Sequence, residues 1–190
     1  CVYVSPAQNT SWVKAQAVVI VAEDNESGIR SKQYAWLPEG QSPDDSTEWQ
    51  DFDRVVMLAG VSGKYMLHYQ VVNNSGYPVE GSSGPYYLDN DAPTATISYT
   101  PLPDGTVLAT FAFSEPVRMM TAGVQQVDET TYTYHFETNG TKSVTYEDAA
   151  GNIGTATATV ESIDDTPVSV DRDALADAIE RAKAGNPEAY

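Results

Sequence analysis

"YYLDNDAPTATISY", residues 86–99, decides the fold, because two strand-like apolar segments lie on either side of the polar run 89–91 and Pro93. A tight hairpin turn favours Gly or Asn at positive φ. Pro93 lacks a backbone N–H donor and biases Ala92 toward extended geometry. The stretch is therefore predicted to be a stiff linker between two domains and not a turn within one sheet.

The chain before this linker is predicted to form short strands separated by polar turns. Apolar or alternating segments lie at 17–22, 34–37, 55–58, 64–72 and 86–88. Clusters of Gly, Pro, Asn, Asp and Ser separate them, which is typical of turns. Short strands at this spacing, without a helical period, favour a β-sandwich with Trp36 as a candidate core tryptophan.

The strand pattern restarts after the linker. Strands are predicted at 95–99, 106–114, 131–136, 141–146 and 155–160, the last as an edge or terminal strand. Beyond them, Leu175, Ile179 and Ala182 follow a helical spacing. The predicted fold is all-β, with two tandem immunoglobulin-like (Ig-like) β-sandwiches at 1–90 and 91–165. Residues 166–190 are predicted to be a linker plus a short C-terminal α-helix, the start of a further module.

Composition narrows the classes of partner. The net charge of −17 argues against nucleic acid and anionic lipid, since both are polyanions. The sequence has no apolar run of about 18 residues, so no membrane insertion is expected. Cys1 is the single cysteine, which excludes an intrachain disulfide. These features favour an extracellular protein, secreted or associated with a bacterial cell wall.

Several runs resemble known bacterial modules. "EDNESGI" (23–29), "GKYMLHYQVVNNSG" (63–76) and "GPYYLDNDAPT" (84–94) resemble bacterial Ig-like domains of Gram-positive surface and secreted proteins. "FSEPV" (113–117) and "TYTYHFETNGTKSVTYEDAAGN" (131–152) resemble a related module. The tail "VDRDALADAIERAKAGNPEAY" is similar to the start of a helical FIVAR-type module. The resemblance implies tandem spacers, presenters or weak ligand binders in an exported multidomain protein.

Calcium is the one metal for which the sequence offers a site. Asp89, Asn90 and Asp91 supply consecutive oxygen ligands at the domain junction, and calcium binds six to eight oxygens. A further ligand would have to come from an acidic loop residue. The residues considered are Glu23, Asp24, Glu26 and Asp148. The alternative is that these acids and amides only cap backbone donors in turns.

Two acidic turns are better explained as structural. In Asp148-Ala-Ala-Gly-Asn152 the first carboxylate can accept bonds from amides ahead of it, and Gly151 can adopt positive φ. The run from Asp24 to Gly28 is predicted to do the same.

Aromatic side chains offer a second kind of site. The candidates for a sugar-stacking platform are Trp36, Trp49, Tyr86 and Tyr87. Strand alternation places the two tyrosines on opposite faces, so they cannot share one platform. Core or inter-domain packing is the favoured interpretation.

No catalytic cluster is evident in the sequence. His68 and His135, the two histidines, lie inside predicted strands of different domains. A triad or a metal site needs converging partners around one histidine. The predicted function is non-catalytic: a spacer or presentation unit whose partners are the neighbouring domains of its parent protein. The alternative is an accessory module that binds glycan or a host surface protein, attached to a carbohydrate-active enzyme.

Overall fold

The computed structural model describes residues 1–164, and these residues are all-β. The strands are β1 (Val2–Ser5), β2 (Ala15–Ala22), β3 (Ile29–Pro38), β4 (Gln50–Asp51), β5 (Val55–Ala59), β6 (Gly63–Asn73), β7 (Pro78–Leu88), β8 (Ala95–Pro101), β9 (Val107–Phe113), β10 (Arg118–Met119), β11 (Gln125–Asp128), β12 (Thr131–Phe136), β13 (Gly140–Glu147) and β14 (Ile153–Val160). No helix able to cross a bilayer occurs among residues 1–164. The helix and the FIVAR-like tail predicted within 166–190 lie outside the described residues.

Strands β1–β7 form the first sandwich. One antiparallel sheet has the order β1-β2-β5 and the other has the order β4-β3-β6-β7. Both sheets contribute to one core, because each strand turns every second side chain inward. The fully enclosed side chains are Val18, Ile20, Leu67, Tyr86 and Leu88.

Strands β8–β14 form the second sandwich, with sheet orders β11-β12-β9-β8 and β10-β13-β14. With the seven strands lettered A to G, these orders are D-E-B-A and C-F-G, the constant-type immunoglobulin arrangement. The first sandwich differs in its fourth strand, since β4 pairs with β3 across the fold instead of joining β5. The predicted all-β sandwich class is confirmed.

The strand set is longer than the sequence suggested. β7 begins at Pro78, although the sequence predicted strand only over 86–88, and β1 was missed. The run PVEGSSGP has little intrinsic strand preference, but it pairs with β6 from Val72 to Leu67. Strands up to Leu88 pair with one another, as do those from Ala95 onward. The treatment of 1–90 and 91–165 as independent domains stays a prediction.

An N-terminal segment, residues 7–13, runs in the same direction as the end of β7 and bonds to it. The Gly84 amide donates to the Ala7 carbonyl at 2.8 Å, and the Val13 amide donates to the Tyr87 carbonyl at 3.1 Å. The Asp89 amide returns a bond to the Val13 carbonyl at 2.9 Å. This pairing brings the start of the linker against the body of the first sandwich.

Candidate functional site

Asn90 fastens the linker to the first sandwich. Its side-chain Nδ2 donates to the Val61 carbonyl at 2.7 Å and to the Lys14 carbonyl at 2.9 Å. Its backbone amide donates to Ser62 Oγ at 2.9 Å. Both amide hydrogens of Asn90 are therefore used to bridge two loops at this end of the sandwich.

The linker is also fastened to the second sandwich. The buried Asn152 donates from Nδ2 to the backbone carbonyl of Asp89 at 2.9 Å. Pro93 is buried, and the Thr94 amide donates to Ser114 Oγ at 2.9 Å. Hydrogen bonds thus hold the linker from both sides.

The turn Asp148–Asn152 presents Asn152 to the linker. Asp148 Oδ1 accepts from the amides of Ala150 at 2.9 Å and of Asn152 at 2.8 Å. Its Oδ2 accepts from Asn152 Nδ2 at 2.9 Å, and Gly151 has a φ of +94°. The predicted strand connection is confirmed, and it also carries the contact with the linker.

Three carboxylates converge beside this contact. Oxygens of Asp89, Glu115 and Asp148 all lie within 4.8 Å of one another. Burial raises the pKa of Glu115, and the negative charges of Asp148 and Asp89 raise it further. Like charges this close repel one another, so the cluster favours protonation of Glu115 or a neutralising cation.

The spacing of these oxygens is compatible with calcium. Calcium–oxygen distances of about 2.3–2.6 Å place two ligands of one ion at most about 5 Å apart. Of the two carboxylates predicted from the sequence, Asp89 belongs to the group and Asp91 lies outside it. The predicted amide ligand Asn90 instead directs its Nδ2 to the Lys14 and Val61 carbonyls. The Asp91 amide instead donates to Asp89 Oδ1 at 3.0 Å. Calcium at the junction stays a prediction, now with Asp148 as the partner that the structure brings to Asp89.

The other acids considered as partners lie at the far end of the first sandwich. β2 starts beside the linker and ends at Ala22, about 25 Å away at the usual rise per residue. There Asp24 accepts from the Ser27 amide at 3.1 Å and from Asn73 Nδ2 at 2.8 Å. These bonds hold the pKa of Asp24 well below its usual range. Asp24 acts as the turn-forming acid that the sequence predicted, and it cannot reach the linker.

Sequence reasoning missed Glu115 as a member of the group. The Ser114 amide donates to the Thr94 carbonyl at 2.9 Å, which brings the end of β9 beside the linker. Glu115 follows directly. The sequence does show that Glu115 comes directly after a predicted strand. Placing it beside Asp89 also requires the register in which β9 pairs with β8, and the sequence does not give that register.

The aromatic candidates separate into different environments. Trp36 packs edge-on against the buried Tyr86, with ring centroids 5.3 Å apart, as a core tryptophan would. Tyr87 points to the other face of the sheet and packs against Trp12, with ring centroids 5.2 Å apart. Trp49 lies apart from all three, in an open cleft on the outer face of the first sandwich. The four residues therefore do not share a platform, and core packing, the favoured interpretation, holds for Trp36 and Tyr86.

The two histidines lie in different settings. His135 is exposed, with Nε2 2.6 Å from Thr106 Oγ1. Asp104 accepts from that same hydroxyl, whereas the acid of a catalytic triad orients the imidazole. His68 lies in the cleft beside Trp49, where burial lowers the pKa of its ring. The absence of enzymatic activity stays a prediction.

Comparisons with known proteins found similarity in structure only. No family model matches the chain, and no curated protein is similar to it in sequence. The chain is similar in structure to the fibronectin(III)-like modules of Clostridium thermocellum CbhA, with a TM-score of 0.38 and 13% identity. The match covers 85% of this chain and 94% of that one. A similarity this low does not indicate a function for the present chain.

Proposed function

We propose that this chain is a non-catalytic spacer or presentation unit of an exported or cell-surface bacterial multidomain protein. In this proposal its partners are the domains that neighbour it in the parent protein. The location is extracellular, either secreted or attached to a Gram-positive cell wall. The acidic composition supports a soluble surface outside the cell, since it disfavours nucleic acid and anionic membranes.

The observation that carries the proposal is the linker held from both sides. Asn90 bonds two loops of the first sandwich, and Asn152 of the second sandwich bonds the Asp89 carbonyl. Interfaces between domains of one chain usually permit relative motion. Hydrogen bonds at both ends of a linker closed by the buried Pro93 oppose that motion. A spacer needs this property, because a fixed angle keeps the attached domain in a defined position.

A distance measurement between the two sandwiches tests the proposal. Spin labels at Tyr77→Cys and Val127→Cys, in a Cys1→Ser background, probe two strongly exposed positions in different sandwiches. Pulsed electron paramagnetic resonance should give one narrow distance distribution. The matched control adds Asn90→Gly and Pro93→Gly, which remove the side-chain bonds of Asn90 to the first sandwich and the stiffness of the proline, and should broaden it. A distribution that is already as broad without these two substitutions would refute the rigid spacer.

A second candidate is an accessory module that binds a glycan or a host protein. The observation that favours it is the cleft around Trp49, which combines an aromatic ring with hydrogen-bonding side chains on an exposed sheet face. The two functions are compatible, since a rigid unit can also hold a ligand.

A further inference from the structure

The loop between β3 and β4 covers part of the outer face of the first sandwich. Gln33 and Ala35 point outward on β3, and Ala35 is only 5% exposed. The loop therefore lies on the sheet. Between the loop and strands β6 and β7 is an open cleft of about 540 Å³. We call it the Trp49 cleft; its lining includes Asp44, Asp45, Trp49, His68, Gln70 and Glu80.

The floor of the Trp49 cleft is built from paired positions on two neighbouring strands. His68 on β6 lies opposite Ser82 on β7, and Gln70 lies opposite Glu80. These positions alternate with the inward-facing Leu67 and so share the outer face. Strand pairing thus brings four hydrogen-bonding side chains into two adjacent rows.

The wall of the cleft is held in place before any ligand arrives. Asp44 Oδ1 accepts from the Ser46 amide at 2.8 Å, and the Asp44 amide donates to Thr47 Oγ1 at 2.8 Å. On the floor, Gln70 Nε2 donates to Gln33 Oε1 at 2.7 Å. This bond leaves the Gln70 carbonyl oxygen as an acceptor. Preformed walls reduce the entropy lost on binding.

A buried nitrogen in the cleft has no hydrogen-bond partner among the described residues. His68 Nε2 is shielded from solvent and unpaired. Leaving a buried polar atom unpaired costs about 1–3 kcal/mol. A hydroxyl group that enters between the loop and β6, with a small shift of the loop, would satisfy this atom.

The lining selects against anionic and purely apolar ligands. Its three acids and the absence of Lys or Arg among its residues disfavour anions. Serine hydroxyls, the Gln70 carbonyl and the carboxylates instead offer acceptors to a ligand rich in hydroxyl donors. The Trp49 ring offers a flat apolar surface beside them. A sugar ring combines both properties, with an apolar face of C–H groups and hydroxyls at its edge.

We propose that the Trp49 cleft binds an uncharged polysaccharide, with a sugar ring stacked on Trp49 and hydroxyls bonded to the side chains of β6 and β7. The proposal rests on the second candidate function and gives it a site and a ligand class. The cleft is open to solvent, so a polymer longer than the site can continue past it.

Native-gel affinity electrophoresis tests the proposal directly, because the acidic protein migrates well. The gels contain hydroxyethylcellulose, arabinoxylan, glucomannan or laminarin, with polygalacturonate as the anionic comparison and chitosan as the cationic one. At least one neutral polymer should retard the protein. Trp49→Ala and Glu80→Ala should each weaken that binding, the former at least tenfold. The exposed Trp12→Ala variant serves as the matched control and should bind normally.

A second readout separates a lost contact from a lost fold. The protein has two histidines, so the ring signals of His68 and His135 can be followed together by nuclear magnetic resonance. The retarding polymer, shortened to oligosaccharides, should shift His68 and leave His135 unchanged. Three results would each overturn the proposal: no retardation by any neutral polymer, retardation by chitosan or polygalacturonate alone, or equal binding by Trp49→Ala. None of them affects the distance measurement for the spacer.

Discussion

Replacing Asn152 by alanine removes two hydrogen bonds from a site that is only 4% exposed. One bond, to the Asp89 carbonyl, joins neutral groups and is worth about 1 kcal/mol. The other, to the Asp148 carboxylate, involves a charge and is worth about 1.5–3 kcal/mol. The expected loss in the free energy of unfolding is therefore roughly 2.5–4 kcal/mol. For a domain of this size, each kcal/mol lowers Tm by about 4–8 °C.

The loss should fall on the second sandwich, and two probes distinguish the sandwiches. Trp12, Trp36 and Trp49 are the only tryptophans, so their fluorescence in urea reports the first sandwich. Circular dichroism reports the strands of both. With Asn152→Ala we expect the circular dichroism transition to split, its earlier part moving to lower urea while the tryptophan transition stays within about 0.5 kcal/mol of its original value.

The matched control is Asn73→Ala, which also loses a bond to a turn-forming aspartate but lies far from the linker. Asn73 Nδ2 donates to Asp24 Oδ2 at 2.8 Å. This variant should move the tryptophan transition and leave the other transition unchanged. If Asn152→Ala costs less than about 0.5 kcal/mol, the assignment of two buried bonds to this side chain is wrong. If it moves both transitions equally, the effect is not confined to the second sandwich.

Three further results are expected. If calcium binds the carboxylates at the junction, millimolar calcium should raise Tm in calorimetry. The double variant Asp89→Ala with Asp91→Ala should lose less of this rise in Tm than the double variant Asp89→Ala with Glu115→Gln. Equal rises in the wild type and both variants would exclude the site. Without calcium, the raised pKa of Glu115 means that the folded state holds its proton more tightly, so the contribution of Glu115 to stability should fall as pH rises from about 4.5. Glu115→Gln should lessen that fall in urea titrations between pH 4 and 7, and an unchanged slope would contradict the cause given for the shift. Gly154→Ala places a methyl carbon 2.6 Å from the buried Tyr146 ring and should lower the free energy of unfolding by about 1–3 kcal/mol. Its effect should be smaller in a Tyr146→Leu background, and additive effects of the two substitutions would rule out the clash.

Alternation along single strands made much of the fold predictable. The run 106–114 predicted β9, and the inward set Tyr65, Leu67, Tyr69 and Val71 follows from the same period of two. The segment 78–85 could not be predicted this way, because its Gly and Ser residues form strand only through pairing with β6. The local sequence pattern predicts a strand whose own residues favour β structure. It does not predict a strand that forms only because a neighbouring strand pairs with it.

The junction shows a similar limit. The run 89–91 was correctly singled out as the place where strand sets change, and Asp148 was named as a partner for it. The sequence could not show that Asn90 would use its amide group as a donor to two carbonyls. Nor could it show Glu115, which approaches Asp89 only through the register of β8 and β9. The sequence shows which side chains could act as ligands or hydrogen-bond donors at the junction. Which of them come together depends on strand pairing between residues far apart in the chain.

The parallel pairing of residues 7–13 with the end of β7 has a mechanical consequence. Tension applied between the first residues and Pro93 pulls these two segments in opposite directions along their common axis. The four backbone bonds between them, which join Gly84 to Ala7, Asn9 to Pro85, Val13 to Tyr87 and Asp89 to Val13, are then loaded together. A hairpin pulled from its open end would instead lose its bonds one at a time. The first sandwich is therefore built to resist shear in the direction in which a tethered chain is stretched.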